Sequence, residues 1–142
     1  MIGATAQTYR LFTTENGLTS SLINYIFEDR YGLIWIASED GLNKYDGVKI
    51  TSYKHKEGDE TSLASNYVST IIEDAKGNLI VSTYRGMQIY RHDTDDFSPI
   101  GTTPNGKPLK VNINRLMLEK DGRLYGTGDI SCEIRTKGKS GI

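Results

Sequence analysis

The chain has 142 residues, long enough for one domain with its own core and short for two. Hydrophobic residues make up 37% and charged residues 25%, and Gly outnumbers Pro by 15 to 3, a globular profile and not that of a disordered chain. Seventeen basic against eighteen acidic side chains, with no basic block, argue against nucleic acid or an anionic membrane as partner, and no apolar run approaches the length of a bilayer span.

At the N-terminus, Ala4-Thr5-Ala6 before Gln7 resembles the small-residue end of a secretory signal, although the charged and apolar regions that should precede it are absent. Residues 1–8 are therefore either a signal-peptide remnant or a plain small-residue start. Next, Tyr9-Arg10-Leu11-Phe12 stands where the outer strand of a preceding unit would be expected.

From Leu18 onward the chain repeats itself at a shift of 45 residues. Glu28-Asp29-x-x-Gly32-x-Ile34-Trp35-Ile36 recurs as Glu73-Asp74-x-x-Gly77-x-Leu79-Ile80-Val81, and the same offset takes Gly41-Leu42 to Gly86-Met87 and Tyr45 to Tyr90. A fainter third copy sends Gly77 to Gly122, Leu79 to Leu124 and Met87 to Cys132. Repeats of this length are either propeller blades or helical arrays, and the local pattern decides between them. The Gly-bounded run Leu33-Ile34-Trp35-Ile36-Ala37-Ser38 is β-branched and aromatic and lacks a helical stripe, so it reads as a strand.

Four strands are expected in the first unit: Ile23–Glu28, Leu33–Ser38, Leu42–Tyr45 and Lys49–Tyr53. Gly32 and Gly41 supply turns, and Asp46-Gly47 reads as a two-residue primed hairpin. In the second unit the strands are Val68–Glu73, Asn78–Thr83, Met87–Tyr90 and Phe97–Ile100. The predicted fold is all-β: four-stranded antiparallel β-propeller blades, about three of them, with repeats near 18–53, 63–100 and 110–135 inside a partial propeller over 9–142. Ile26, Ile34, Ile36 and Leu42, with Ile71, Leu79, Val81 and Met87, are the expected core between blades, and Trp35 is read as packing. Because closed propellers hold roughly four to eight blades, the ring is incomplete and its end faces are expected to pair with further blades or with another copy as a homo-oligomer.

The stretch Gly17-Leu18-x-x-Ser21-x-Ile23-x-x-Ile26-x-Glu28-Asp29-x-x-Gly32-x-Ile34-Trp35-Ile36-Ala37-Ser38-x-x-Gly41-Leu42-Asn43-Lys44-Tyr45-Asp46-Gly47, with the later Ser62-Leu63 and Asn66, resembles the two-component regulator propeller repeat. That repeat is found in the periplasmic sensor regions of Bacteroides-type hybrid two-component systems. The resemblance covers residues 9–91 strongly and 110–135 weakly. It implies a non-enzymatic, periplasmic N-terminal sensor segment that meets an extracytoplasmic signal, typically an oligosaccharide, and relays it to a transmembrane histidine kinase. The polar, Gly-rich Lys137–Ile142 is read as a disordered end or the end of a reading frame.

Other motifs carry less. Gly101-Thr102-Thr103-Pro104-Asn105-Gly106-Lys107 has the glycine and lysine spacing of a phosphate loop, but Pro108 replaces the magnesium-binding hydroxyl and no helix follows, so a turn-rich connection is expected. Asp93-Thr94-Asp95-Asp96 lacks the Gly and Glu of a calcium loop and reads as a solvated hairpin. His55 and His92 read as surface residues, and the lone Cys132 excludes an internal disulfide or a thiolate zinc site. The repeated Glu28-Asp29 and Glu73-Asp74 pairs read as turn acceptors and not as a glycosidase pair. No metal or cofactor is expected.

Alternating strand direction places the loop after each second strand and the lead-in to each first strand on one face of the disc. That nominates Glu39, Asp40, Ser65, Asn66, Tyr67, Tyr84, Arg85 and Asp129 for an oligosaccharide or other small ligand. Tyr84 and Arg85 lead, as an aromatic face beside a fork of donors. The alternatives are a propeller lyase or hydrolase, which needs a convergent acid or base, and a protein-binding propeller scaffold, which needs an apolar patch on that face.

Overall fold

The computed structural model describes residues 11–136; the signal-remnant reading of residues 1–8 and the reading of the Lys137–Ile142 end both fall outside them. Eleven strands form three antiparallel sheets, each a simple meander. Blade one is β1 (Ile23–Glu28), β2 (Ile34–Ser38), β3 (Gly41–Tyr45) and β4 (Ile50–Tyr53). Blade two is β5 (Val68–Glu73), β6 (Leu79–Thr83), β7 (Gly86–Arg91) and β8 (Asp96–Ile100). Blade three has β9 (Ile113–Leu118), β10 (Leu124–Gly128) and β11 (Ser131–Ile134) among the described residues, so the expected four strands are complete in the first two blades only. The first strands β1, β5 and β9 lie beside one another at the axis, and successive blades pack face to face.

The 45-residue register is visible in the backbone. Each first strand carries a bulge one residue in, at Asn24, Ser69 and Asn114, where the pairing with the second strand slips. A bulge bends its strand and increases local twist, which suits strands crowded around an axis. The turn between the first two strands is also built alike. Asp29 accepts hydrogen bonds from the backbone N–H groups of Tyr31 (2.9 Å) and Leu33 (3.0 Å), and its other oxygen accepts from Trp35 Nε1 (2.9 Å). Asp74 accepts from Lys76 and Asn78 backbone N–H groups (2.9 and 2.8 Å) and from Asn78 Nδ2 (3.0 Å). Both carboxylates are thus occupied by turn donors, the role expected of them. Of the two glutamates, Glu73 accepts from Arg30 of blade one, at 3.1 Å from its backbone and 3.2 Å from Nε.

The turn after β3 differs from the two-residue hairpin expected at Asp46-Gly47. Tyr45 pairs with Ile50 across a four-residue loop, because the Asp46 carboxylate accepts from both Val48 and Lys49 N–H groups at 2.9 Å and so builds its own Asx turn. Leu11 and Phe12 lie outside any strand; Phe12 instead packs its ring on Tyr45 of blade one at 4.7 Å.

Two buried clusters fill the two spaces between blades. The first gathers Trp35, Leu42, Leu63, Ile71, Leu79 and Phe97 with their neighbours, and the second is centred on Ile80, Met87, Ile113, Leu124 and Ile134. Burying each such side chain contributes roughly 1.5–3 kcal/mol. Ile26 departs from the expected core: it is 62% exposed, whereas its counterpart Ile71 is fully buried. Ile71 has blade one against it, and no described blade lies on the other side of Ile26. The outward face of blade three is similarly open, with Met117 55% exposed. Among the described residues no helix is long and apolar enough to cross a membrane.

Candidate functional site

One edge of the three blades is closed by the same backbone hydrogen bond three times over. The N–H of Glu39 donates to the carbonyl of Leu22 (3.0 Å), that of Tyr84 to Tyr67 (3.2 Å), and that of Asp129 to Asn112 (2.8 Å). Each bond ties the loop after a second strand to the lead-in of the first strand in its own blade. The loops nominated from the sequence therefore do share a face, and its successive positions read Leu22 with Glu39, Tyr67 with Tyr84, and Asn112 with Asp129. Leu22 and Asn112 were missed, although counting 45 residues either way from Tyr67 finds both.

The middle pair forms an aromatic platform. Tyr67 and Tyr84 stack almost parallel, 3.9 Å between centroids at 12°, and Tyr84 remains 49% exposed. The Tyr67 phenol is held above its usual pKa chiefly by its hydrogen bond with Tyr84, then by partial desolvation, the Tyr84 phenol and the Glu39 carboxylate, while the Asn24 amide works against these. Asn24 also donates to the Val68 carbonyl (2.8 Å), so the bulge of blade one is fixed against the start of β5. Glu39, Asn24, Tyr67 and Tyr84 thus converge at the first blade junction. An exposed ring face flanked by hydrogen-bonding acceptors suits the C–H face and hydroxyls of a sugar.

The remaining candidates have other duties. Asn66 accepts from Gly41 N–H through its carbonyl (2.6 Å) and from His55 N–H through its side chain (2.7 Å), and so holds the crossover between blades. Ser65 Oγ accepts from Tyr67 N–H (3.2 Å) and shapes the turn before the platform. Asp40 pairs with Lys54 (2.9 Å) where both are about half exposed, a geometry worth roughly 0–1 kcal/mol. Asp129 accepts from Asn112 N–H (3.0 Å) on blade three. The Tyr84–Arg85 pair is divided: Tyr84 lies on Tyr67, while Arg85 lines a separate cleft with Leu109 and Lys110.

The acidic hairpin at 93–96 is not merely solvated. Asp95, in a left-handed conformation (φ 57°), accepts from the hydroxyls of Tyr53 and Tyr90, both at 2.6 Å, and lies 3.5 Å from Lys44 Nζ. That ammonium sits 5.6–5.7 Å from the ring centres of Trp35, Tyr53 and Tyr90. Desolvation works against ionisation of Asp95, but the hydroxyls of Tyr53 and Tyr90 and the Lys44 charge outweigh it and hold the carboxyl below its usual value. The same burial, with Asp95 beside it, raises the Tyr53 phenol strongly. Among the described residues no group of three or more His, Cys, Asp or Glu could hold a metal.

The family model described as two-component regulator propeller matches residues 17–40 and 62–85. Both segments are two-component regulator propeller repeats. They run from the lead-in of blades one and two through the loop that follows β2 and β6, so they include Glu39, Tyr67 and Tyr84. Over 56 residues the chain is 36% identical to Histidine kinase P4 of Formosa agariphila, a match that covers 39% of this chain and 4% of that protein. The crystal structure of the extracellular domain of a hybrid two-component system from B. thetaiotaomicron superposes with a TM-score of 0.72 at 21% identity, covering 92% of this chain and 20% of that one. A second such domain from the same organism gives 0.59 at 20% identity, over 75% of this chain and 15% of that one. At these identities the two structures establish a shared propeller fold. The chain spans a small part of each of these relatives.

Proposed function

We propose that the repeats form part of the signal-receiving region of a hybrid two-component sensor, on the periplasmic side of the membrane, and that they act without catalysis of their own. Two-component regulator repeats occupy blades one and two, within a fold that one extracellular domain of a hybrid system shares over 92% of the chain and a second over 75%, and that observation carries the reading. In this reading the Tyr67–Tyr84 platform, flanked by Glu39 and Asp129, takes a carbohydrate-type signal. Blade packing then relays its binding towards a transmembrane histidine kinase. The open face of blade one at Ile26 and that of blade three at Met117 meet further blades of the same protein or a second copy.

Calorimetric titration with neutral glucan and xylan tetrasaccharides tests the carbohydrate assignment. Saturable binding of at least one, weakened about tenfold or more by Tyr84→Ala, is expected, since stacking contributes roughly 0.5–1.5 kcal/mol beyond area burial and tenfold corresponds to about 1.4 kcal/mol. Binding by none of the panel, or undiminished binding by the variant, would remove it.

A further inference from the structure

The cleft that takes Arg85 away from Tyr84 lies between the crossover into blade two, strand β7 and the crossover into blade three. Gln88 stiffens its wall: 2% exposed, its side chain accepts from Ala64 N–H (2.9 Å) and donates to the Ser62 carbonyl (2.8 Å). The opposite wall, Pro108 to Lys110, is held by its own small hairpin, in which Leu109 N–H donates to the Gly101 carbonyl (3.1 Å) and Thr103 N–H to Lys107 (2.8 Å). Close approach of the two walls depends on Gly86. At φ +117° a side-chain carbon there would come within 2.6 Å of the Leu109 carbonyl oxygen, a contact that only Gly avoids.

Arg85 and Lys110 both line this fixed cleft. Lys44, Lys54 and Arg91 each contact a carboxylate, yet the charged groups of Arg85 and Lys110 have neither an ion pair nor a hydrogen bond among the described residues. Two acids share the lining, Asp59 and Glu60. Asp59 is engaged by Thr61, from its N–H (2.9 Å) and its hydroxyl (2.6 Å), and those bonds hold its carboxyl below the usual range. Glu60 has no such engagement and stands as an acceptor. The cavity measures about 60 Å³. At roughly 10–15 Å³ of such space per water, it holds a few waters or a small polar group.

We infer that the cleft between Arg85 and Lys110 binds the anionic group, carboxylate or sulfate, of a larger ligand. Arg85 offers a planar fork that matches two oxygens at once, Lys110 adds a point charge, and Glu60 accepts from a hydroxyl beside the anion. The apolar lining of Leu63, Met87 and Leu109 lowers the local dielectric and strengthens those contacts. This site does not depend on the Tyr67–Tyr84 platform, and the two are separately removable.

The test is an NMR titration of the 142-residue chain with glucuronate, glucose 6-sulfate and glucose, following the Met87 methyl and the Arg85 Nε–H at low and high salt. Saturable shifts with one or both anions are expected, together with weakening at high salt and no response to glucose. Which anion binds identifies the group. Arg85→Gln combined with Lys110→Gln, both at exposed positions that leave the fold intact, should reduce affinity at least tenfold, and Arg123→Gln, which removes an exposed cation of blade three outside the cleft, should leave it unchanged. The inference is overturned if neither anion shifts these signals, if glucose shifts them equally, or if the double variant keeps the affinity.

Discussion

The two spaces between blades are built on the same repeat and filled by different chemistry. Between blades one and two, Trp35 packs edge-on to Tyr90 (4.7 Å) and stacks with Tyr53 (5.9 Å), Phe97 meets Tyr53 edge-on (5.5 Å), and Lys44 and Asp95 add charge within that aromatic group. Between blades two and three, the repeat position of Trp35 is Ile80, that of Lys44 is Ile89, and the filling is aliphatic apart from the sulfurs of Met87 and Cys132. Aromatic edges, hydroxyls and a cation have preferred directions, whereas aliphatic contacts do not. The first junction is therefore fixed in angle by its contacts. The second is fixed by shape and by Thr136, which hydrogen-bonds Asp74 and Asn78 of blade two.

The largest effect that would break this contrast comes from truncating the shared repeat position. Trp35→Ala is expected to cost about 3–5 kcal/mol and Ile80→Ala about 2–5 kcal/mol, read from denaturant unfolding. Trp35→Ala should sit higher within its range because Asp29 also loses the indole donor. Amide hydrogen exchange on the same samples should show the unpaired loss confined to the first junction; equal spread over both would mean that the blades melt as one block.

A smaller effect isolates the cation. Lys44→Met keeps the stem and removes the charge, and a loss of about 1 kcal/mol is expected, shrinking as salt is raised because Asp95 is half exposed. A loss independent of salt would assign the contribution to packing of the stem.

The smallest is the dependence on acid. Because the folded state holds the Asp95 carboxyl below its unfolded value of about 3.9, its contribution is complete above that value and disappears as pH falls through the folded one. Asp95→Asn should therefore lower stability near neutrality, where that contribution is complete, and flatten the acid limb, so that the variant and the parent converge as pH falls. An unchanged acid limb would place the acid sensitivity elsewhere, with Asp74 as the next group whose carboxyl is held low, against desolvation, by Thr136 and Asn78.

Blade boundaries, first strands and turn acids were legible because each is written two or three times at a fixed spacing. What a repeat writes only once was not legible. Lys44, Asp95 and the Tyr53 and Tyr90 hydroxyls come together from two blades, and their spacings of 42 and 46 residues straddle the period without equalling it. The site was half visible for the same reason. The shared face followed from strand direction, but the partner of Tyr84 depended on a ring stack between residues 17 positions apart, and Arg85 turned to a cleft made by a crossover that no periodicity describes.

The closure at 39, 84 and 129 rests each time on a main-chain bond that any amino acid with an N–H can supply, with the Asp129 carboxylate adding a second bond to Asn112. Folding therefore places almost no demand on which residue occupies those three places. They hold an acid, an aromatic and an acid in this chain, and selection is free to rewrite them one at a time while the scaffold beneath keeps its shape. A row of such interchangeable positions lets one architecture change what its edge presents without relearning how to fold.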